Sequence, residues 1–421
     1  MTSARSLLKS LDPLPYPRRV RLLAQHARQS RGTAELRALV AEFAQGDSAM
    51  RDIGVFLAGA AQDIEALRPF LTDPDAVIRA RAVKMWLVSG AADPAEVAQL
   101  LQDASYETRQ VIYRHLRRKR SRRQTPGLAD AIVDAVHARF GEAEAGRLLP
   151  ACAPQTVARL LPQLGSGSTW NATVGAHPQQ ALAEARRQLA ELPQAQRASW
   201  WSWVGYGVLT VARTHPDTVL DLLAEYAPAT SLPGLPAAHA QLAKAYPQRM
   251  LELMLDRRRS DWLRRAPLSR ALLAALATLP DDRLVALAIR LREANRLPEL
   301  LVRLAPSRRG VIFEGAFAGV DRAQAMLPDA LLEALPWRLR VAEAQRMRRL
   351  ERAATTPVQV RLAGFLPWEQ AQPELLAAAK SPVADERAYA YEQLARCAAR
   401  SGDPAVVTEL AVLFERLRNE Q

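Results

Sequence analysis

DPDAVIRARAVKMWLVSG, residues 73–90, is the stretch from which the fold can be read. An Asp-Pro-Asp turn leads into Arg79 in the first helical turn and then into a run of apolar residues. Val77, Ala80, Val83, Leu87 and Val88 follow the i, i+3, i+4, i+7 pattern, which predicts an amphipathic helix with that face in the core. The same order of turn, arginine and apolar stripe recurs in GDSAMRDIGVFLAGA (46–60), DASYETRQVIYRHL (103–116) and SPVADERAYAYEQLARCA (381–398). Arg51, Arg79 and Arg109 are 28 and 30 residues apart, room for two short helices. A pair that short cannot bury its apolar faces alone, so neighbouring pairs must stack into a continuous core.

These units resemble HEAT repeats, in which the second helix of each pair carries D-x-x-V/I-R-x-x-A. Asp75, Ile78, Arg79 and Ala82 carry the match, and the resemblance covers about 35–120 and 370–421. It implies an all-α, right-handed superhelical solenoid of antiparallel helix pairs of the HEAT/armadillo type. It also implies that the Asp caps a turn and that the Arg belongs to a ladder between repeats.

Between those segments the chain still reads as helices, punctuated by prolines mostly 10–20 residues apart. In THPDTVLDLLAEYA (214–227), Thr214 or Asp217 can serve as the cap, and Val219, Leu222, Leu223 and Tyr226 share a face. No alternating apolar run bounded by turn dipeptides predicts a strand. QLGSGSTWNATVGAHP (163–178) reads as a flexible joint between an N-terminal repeat arm, 1–162, and a C-terminal helical arm, 179–421. SLPGLP (231–236) is a second break. At the end, DPAVVTELAVLFERLRNEQ (403–421) reads as the first helix of another pair, with Val406, Leu410, Leu413 and Phe414 facing whatever follows. That arm is expected either to continue beyond 421 or to be capped by a partner.

Composition narrows the class. With 49% hydrophobic and 24% charged residues, the 421-residue chain is of the folded, soluble type. Two cysteines, Cys152 and Cys397, exclude a disulfide scaffold and a Cys-based zinc cluster. No apolar run approaches the roughly 20 residues that span a bilayer, and the first 20 residues lack a secretory apolar core. The expected location is cytoplasmic, with no membrane contact. Isolated histidines without HExxH, and the lack of Gly-rich phosphate loops or G-x-S-x-G, give no catalytic residues, no metal ligands and no cofactor.

The net charge of +13 is unevenly placed: residues 114–123 sum to +7 and 257–352 to +9. Basic residues comprise 52 arginines and five lysines, beside only three asparagines. That balance matches the codon bias of a GC-rich genome, but bias does not account for clustering. RHLRRKRSRR (114–123) places Arg114, Arg117, Arg118, Lys119, Arg120, Arg122 and Arg123 over a helix end and the loop after it. Such cations can track phosphates, complement the helix dipole or meet a protein. Arg257, Arg258, Arg259, Arg264 and Arg265 open the second zone, which continues through Arg270, Arg308, Arg309, Arg338, Arg340, Arg346, Arg348, Arg349 and Arg352.

In SWWSWVGYG (199–207), a continuous helix would place Trp200, Trp203, Val204, Gly207 and Val211 on one core face. Trp201 then lies about 100° away as a candidate for stacking on a base, and Gly205 and Gly207 permit close helix approach. Trp262 is a second stacking candidate. Its setting, Asp261-Trp262 followed by Arg264 and Arg265, is similar to the Trp, Asp and Arg that bacterial HEAT-like DNA glycosylases use on a concave basic surface. The leading expectation is a non-enzymatic scaffold with a protein partner. The alternative is a nucleic-acid-binding solenoid using 114–123 and 257–352, and base excision is third. Oligomeric state is left open, and fold alone does not choose among these roles.

Overall fold

The computed structural model describes residues 3–90, 92–118, 127–165 and 167–419, without the side chains of 168 and 417–419. Among the described residues the chain is all-α, with 29 α-helices, four short 3-10 segments and no strand. None of these helices is long and apolar enough to cross a membrane. The chain divides into two compact units, Met1–Val211 and Ala212–Gln421.

In the first unit, helix Ser48–Ala61 packs on Ala76–Val88, which in turn packs on Tyr106–Leu116. These are the three helices that carry Arg51, Arg79 and Arg109. Their starts are chemically marked. Asp47, Asp75 and Ser105 each sit in extended backbone and accept a hydrogen bond from an amide two or three residues on. Asp63 does the same for the short helix Ile64–Leu67. The core alongside contains Phe43, Val55, Leu57, Phe70 and Ile78, all fully buried or nearly so. Each contributes about 1.5–3 kcal/mol by leaving water.

The phase of Ala76–Val88 differs from the sequence pattern. Ile78, Ala82, Val83, Trp86 and Leu87 are buried, whereas Val77 is 74% exposed and Val88 is also exposed. The Asp75 cap fixes where the first turn begins, and that rotation turns Ile78 rather than Val77 inward.

The proposed joint 163–178 is largely helical, since Gly167–Ala176 is an α-helix. Trp170, Thr173 and Val174 are buried, and the Trp170 indole N–H donates to the Val204 carbonyl at 3.0 Å. A large buried aromatic outweighs the flexibility that the small residues suggest. The aromatic patch is also not one helix. Gln194–Trp203 ends, the chain turns at Val204, and Gly205–Thr210 begins. Trp200 and Trp201 are therefore both buried, edge to face at 5.2 Å, and Trp203 is 81% exposed. Gly205 and Gly207 are close-approach positions. A Cβ would fall 2.4 Å from the Trp201 ring at the first and 2.8 Å from Trp170 at the second.

In the second unit, several helices start with proline, as in Pro216–Tyr226, Pro236–Ala245, Pro247–Leu255 and Pro306–Ala316. Proline presets φ and has no amide N–H to leave unpaired. His215, not Thr214 or Asp217, occupies the cap position before Pro216, without a side-chain cap bond. Helices Thr356–Ala363, Trp368–Ala378, Ala384–Ser401 and Pro404–Asn419 pack each on the next. On the last of these, Val406 and Leu410 are buried and Phe414 lies edge to face on Tyr391. Among the described large apolar side chains of that helix, Val407 and Val412 are the exposed ones.

Candidate functional site

Most of the arginines of this chain have an internal job. Eight of them, Arg19, Arg51, Arg79, Arg109, Arg197, Arg309, Arg340 and Arg387, each donate to the carbonyl five residues earlier, at 2.6–3.4 Å. Each occupies the fourth position of its helix, and the carbonyl belongs to the residue just before the cap. The guanidinium folds back over the first turn and ties the incoming chain to the helix, with several donors in a rigid fork.

In the first unit the same arginines also reach forward. Arg51 meets Asp73, Arg79 meets Ser105 and Thr108, and Arg109 meets Glu144 through two bonds of 2.7 Å. Arg37 extends the series by pairing with Asp63 at 2.9 Å. The Tyr113 hydroxyl donates to the same Glu144 carboxylate at 2.9 Å, and Arg109 lies 4.0 Å from the centroid of the Phe140 ring. The Arg109 hydrogen bonds hold the Glu144 carboxyl below its ordinary range.

The second basic zone is depleted in the same way. Arg296 donates to the carbonyls of Leu263 and Ala266, Arg308 to those of Ala277 and Leu279, and Arg346 to those of Arg322 and Ala325. Arg348 pairs with Glu374. Arg259, proposed as a polyanion contact, is 3% exposed and donates to the Leu253 carbonyl, with burial pushing its guanidinium below its ordinary range. It is a structural residue. Arg258 pairs with Asp256, whose carboxyl its hydrogen bonds hold at about 2. Arg264 pairs with Asp261 at 3.0 Å. Arg257, Arg265, Arg270, Arg338, Arg349 and Arg352 are exposed without a side-chain partner among the described residues.

Of the two stacking candidates, Trp201 is buried and closed to a base. Trp262 is half-buried, edge to face on His239 with ring centroids 6.2 Å apart. Trp203, which the continuous-helix pattern put in the core, is the exposed indole. The break at Val204 is what defeated that pattern.

Of the first basic zone, Lys119, Arg120, Arg122 and Arg123 lie outside the described residues. Arg114, Arg117 and Arg118 are exposed at the end of Tyr106–Leu116. Two of them, Arg114 and Arg118, line a groove of about 320 Å³ between this helix and Ala76–Val88. Ala80 and Val111 line it too, and Arg81 and Lys84 line it from the opposite helix. His115 completes the lining, and among the described residues no carboxylate takes part. Asp52 sits beside the groove and pairs with Arg81. The i, i+3 spacing of Arg81 and Lys84 puts both on one face, and Arg114 and Arg118 share theirs at i, i+4. Lys84 was not singled out in the sequence, because the juxtaposition of two helices 30 residues apart is what gives it company.

Other cavities are less sharply defined by charge. One of about 620 Å³ is lined by Arg68, Arg79, Trp86, Glu96 and Asp103 among others. A second, of about 510 Å³, lies among Val360, Ala377, Lys380, Glu386 and Tyr389. Among the described residues, no group of three His, Cys, Asp or Glu side chains is placed to hold a metal ion. No protein-family model, curated protein or solved structure matches the chain.

Proposed function

We propose that this chain is a right-handed α-solenoid of HEAT-like helix pairs that works as a non-enzymatic scaffold for a protein partner. The recurring fourth-position arginine supports the repeat reading. It appears in the segments where the resemblance is plain and again at Arg197, Arg309 and Arg340, where the rest of the repeat pattern has faded. The turn-capping Asp75 and the forward bonds of Arg51, Arg79 and Arg109 fit the roles that the resemblance implies.

The observation that carries the partner reading is the exposure of Trp203, with Tyr206 also exposed three residues on. A tryptophan held in water loses about 3 kcal/mol or more that burial would return, and Trp and Tyr dominate the binding energy of protein interfaces. Affinity capture with wild-type chain and with W203S/Y206S tests it. A partner retained by the first and lost by the second is expected. Identical captured sets would remove this surface from the reading.

Nucleic acid is the second reading, favoured by the exposure of Arg114, Arg117 and Arg118 at one helix end. Fluorescence anisotropy with duplex DNA and single-stranded RNA at about 50 and 200 mM salt tests it, because phosphate contacts weaken steeply over that range. The second basic zone weighs less in this reading, because so many of its guanidinium groups are committed to carbonyls.

A further inference from the structure

We propose that the groove between helices Ala76–Val88 and Tyr106–Leu116 is a binding site for a compact, multiply charged phosphate group. Its walls carry Arg81 and Lys84 on one side and Arg114 and Arg118 on the other. One acid, Asp52, offsets Arg81. Lys84 and Arg118 have no side-chain partner among the described residues. Arg114 spends its Nε on the Gln110 carbonyl, and its terminal amino groups have no partner among the described residues.

Four cations with one compensating carboxylate repel each other unless an anion sits between them. A carboxylate ligand brings one charge and two oxygens in a plane. A phosphate group brings up to two charges and three oxygens in a tetrahedral array, and so can bond to both walls at once.

The second observation is independent of the charge. His115 is 4% exposed and lines the same groove, yet its Nε2 has no hydrogen-bond partner among the described residues. A buried ring nitrogen without a partner costs about 1–3 kcal/mol, and an oxygen of a bound phosphate would remove that cost. Burial, Arg118 and Lys84 push the His115 imidazolium below its ordinary range, so the ring is neutral near pH 7 and can present Nε2–H to the anion. The site does not depend on the scaffold reading, because two adjacent helices of one unit complete it.

Inorganic pyrophosphate is the probe. Isothermal titration at about 50 mM salt should show one site on the wild-type chain. K84A/R118A should weaken it about tenfold or more, the loss expected from removing charge-assisted bonds. Both side chains are exposed, so the variant should fold, which circular dichroism would verify. R338A/R349A, which removes the same charge from exposed positions of the other unit, should leave affinity within about twofold. The His115 ring protons, assigned by comparison with H115N, should shift on pyrophosphate addition in the wild-type chain only. Equal weakening by both double variants, or no shift of the His115 protons, would overturn the site. Weak pyrophosphate binding beside tight binding of an oligothymidylate that K84A/R118A abolishes would overturn the compact ligand in favour of a phosphodiester chain.

Discussion

Arg109 and Glu144 are joined by two parallel hydrogen bonds of 2.7 Å, and each side chain is only 14% exposed. The pair ties helix Tyr106–Leu116 to the short helix Glu142–Ala145 across 35 residues of chain. Removing one partner leaves the other charged and poorly solvated. R109A should therefore cost about 3 kcal/mol, read as a lower urea midpoint with little change in slope. R109K should recover only part of this, because an ammonium cannot form the parallel pair.

Arg338 and Arg340 allow a paired comparison two residues apart. Arg340 bonds to the carbonyls of Leu332, Glu333 and Leu335, whereas Arg338 is exposed without a side-chain partner among the described residues. R340A should destabilise by about 2 kcal/mol, through carbonyls left unpaired. R338A should stay within about 0.5 kcal/mol. Thermal melts of the two variants would check this, and equal losses would contradict a structural role for the fourth-position arginine.

Trp201 and Trp203 provide a second pair. W201A removes a buried ring packed on Trp200 and should cost about 3–5 kcal/mol. W203A should leave the melting midpoint nearly unchanged while bearing on partner capture.

His115 and His239 make stability depend on pH. Burial lowers both, as the largest cause in each case, so each binds its proton less readily folded than unfolded. Between the depressed folded value and the unfolded value near 6.5, the unfolded chain holds more protons, and stability rises with pH. Their contribution is complete above about 6.5 and lost as pH falls through the folded values. Melting midpoints should drop between pH 7.5 and 5.5, and the drop should be smaller in H239F. An unchanged pH profile in that variant would contradict the assignment.

Cys152 and Cys397 are buried thiols, and burial pushes the Cys397 thiol up to about 11. The thiolate is the reactive form. Neither cysteine should react with a disulfide reagent at pH 8 in the native chain. Both should titrate at once in guanidinium chloride.

The helical class was legible because it rests on local chemistry. Asp75 caps, Arg79 follows four residues later, and both signals survive in a single string of letters. The register of the apolar stripe was less legible. Val77 and Ile78 are equally apolar, and only the cap geometry decides which turns inward. At 163–178 the glycines and serines suggest flexibility in the letters, while the helix Gly167–Ala176 is held by the packing of Trp170. The groove was half legible. Arg114 and Arg118 stood in an obvious cluster, but Arg81, Lys84 and His115 join them only through the packing of one helix on the next. A proline three or four residues before an arginine, Pro306 before Arg309 and Pro336 before Arg340, could have shown beforehand that both were committed.

The arginine that closes over its own helix start has an effect beyond folding. Where its acceptors are carbonyls and hydroxyls, which carry no net charge, the closure leaves a full positive charge on the molecule, as it does not at Arg51 and Arg109, which also meet carboxylates. A chain that begins helix after helix in this way gathers basicity as a by-product of its architecture, and Arg19, Arg79, Arg309, Arg340 and Arg387 add to the net charge of +13 by this route. Retention on a cation exchanger, or loose adsorption to any polyanion at low salt, is then a property of how these helices start.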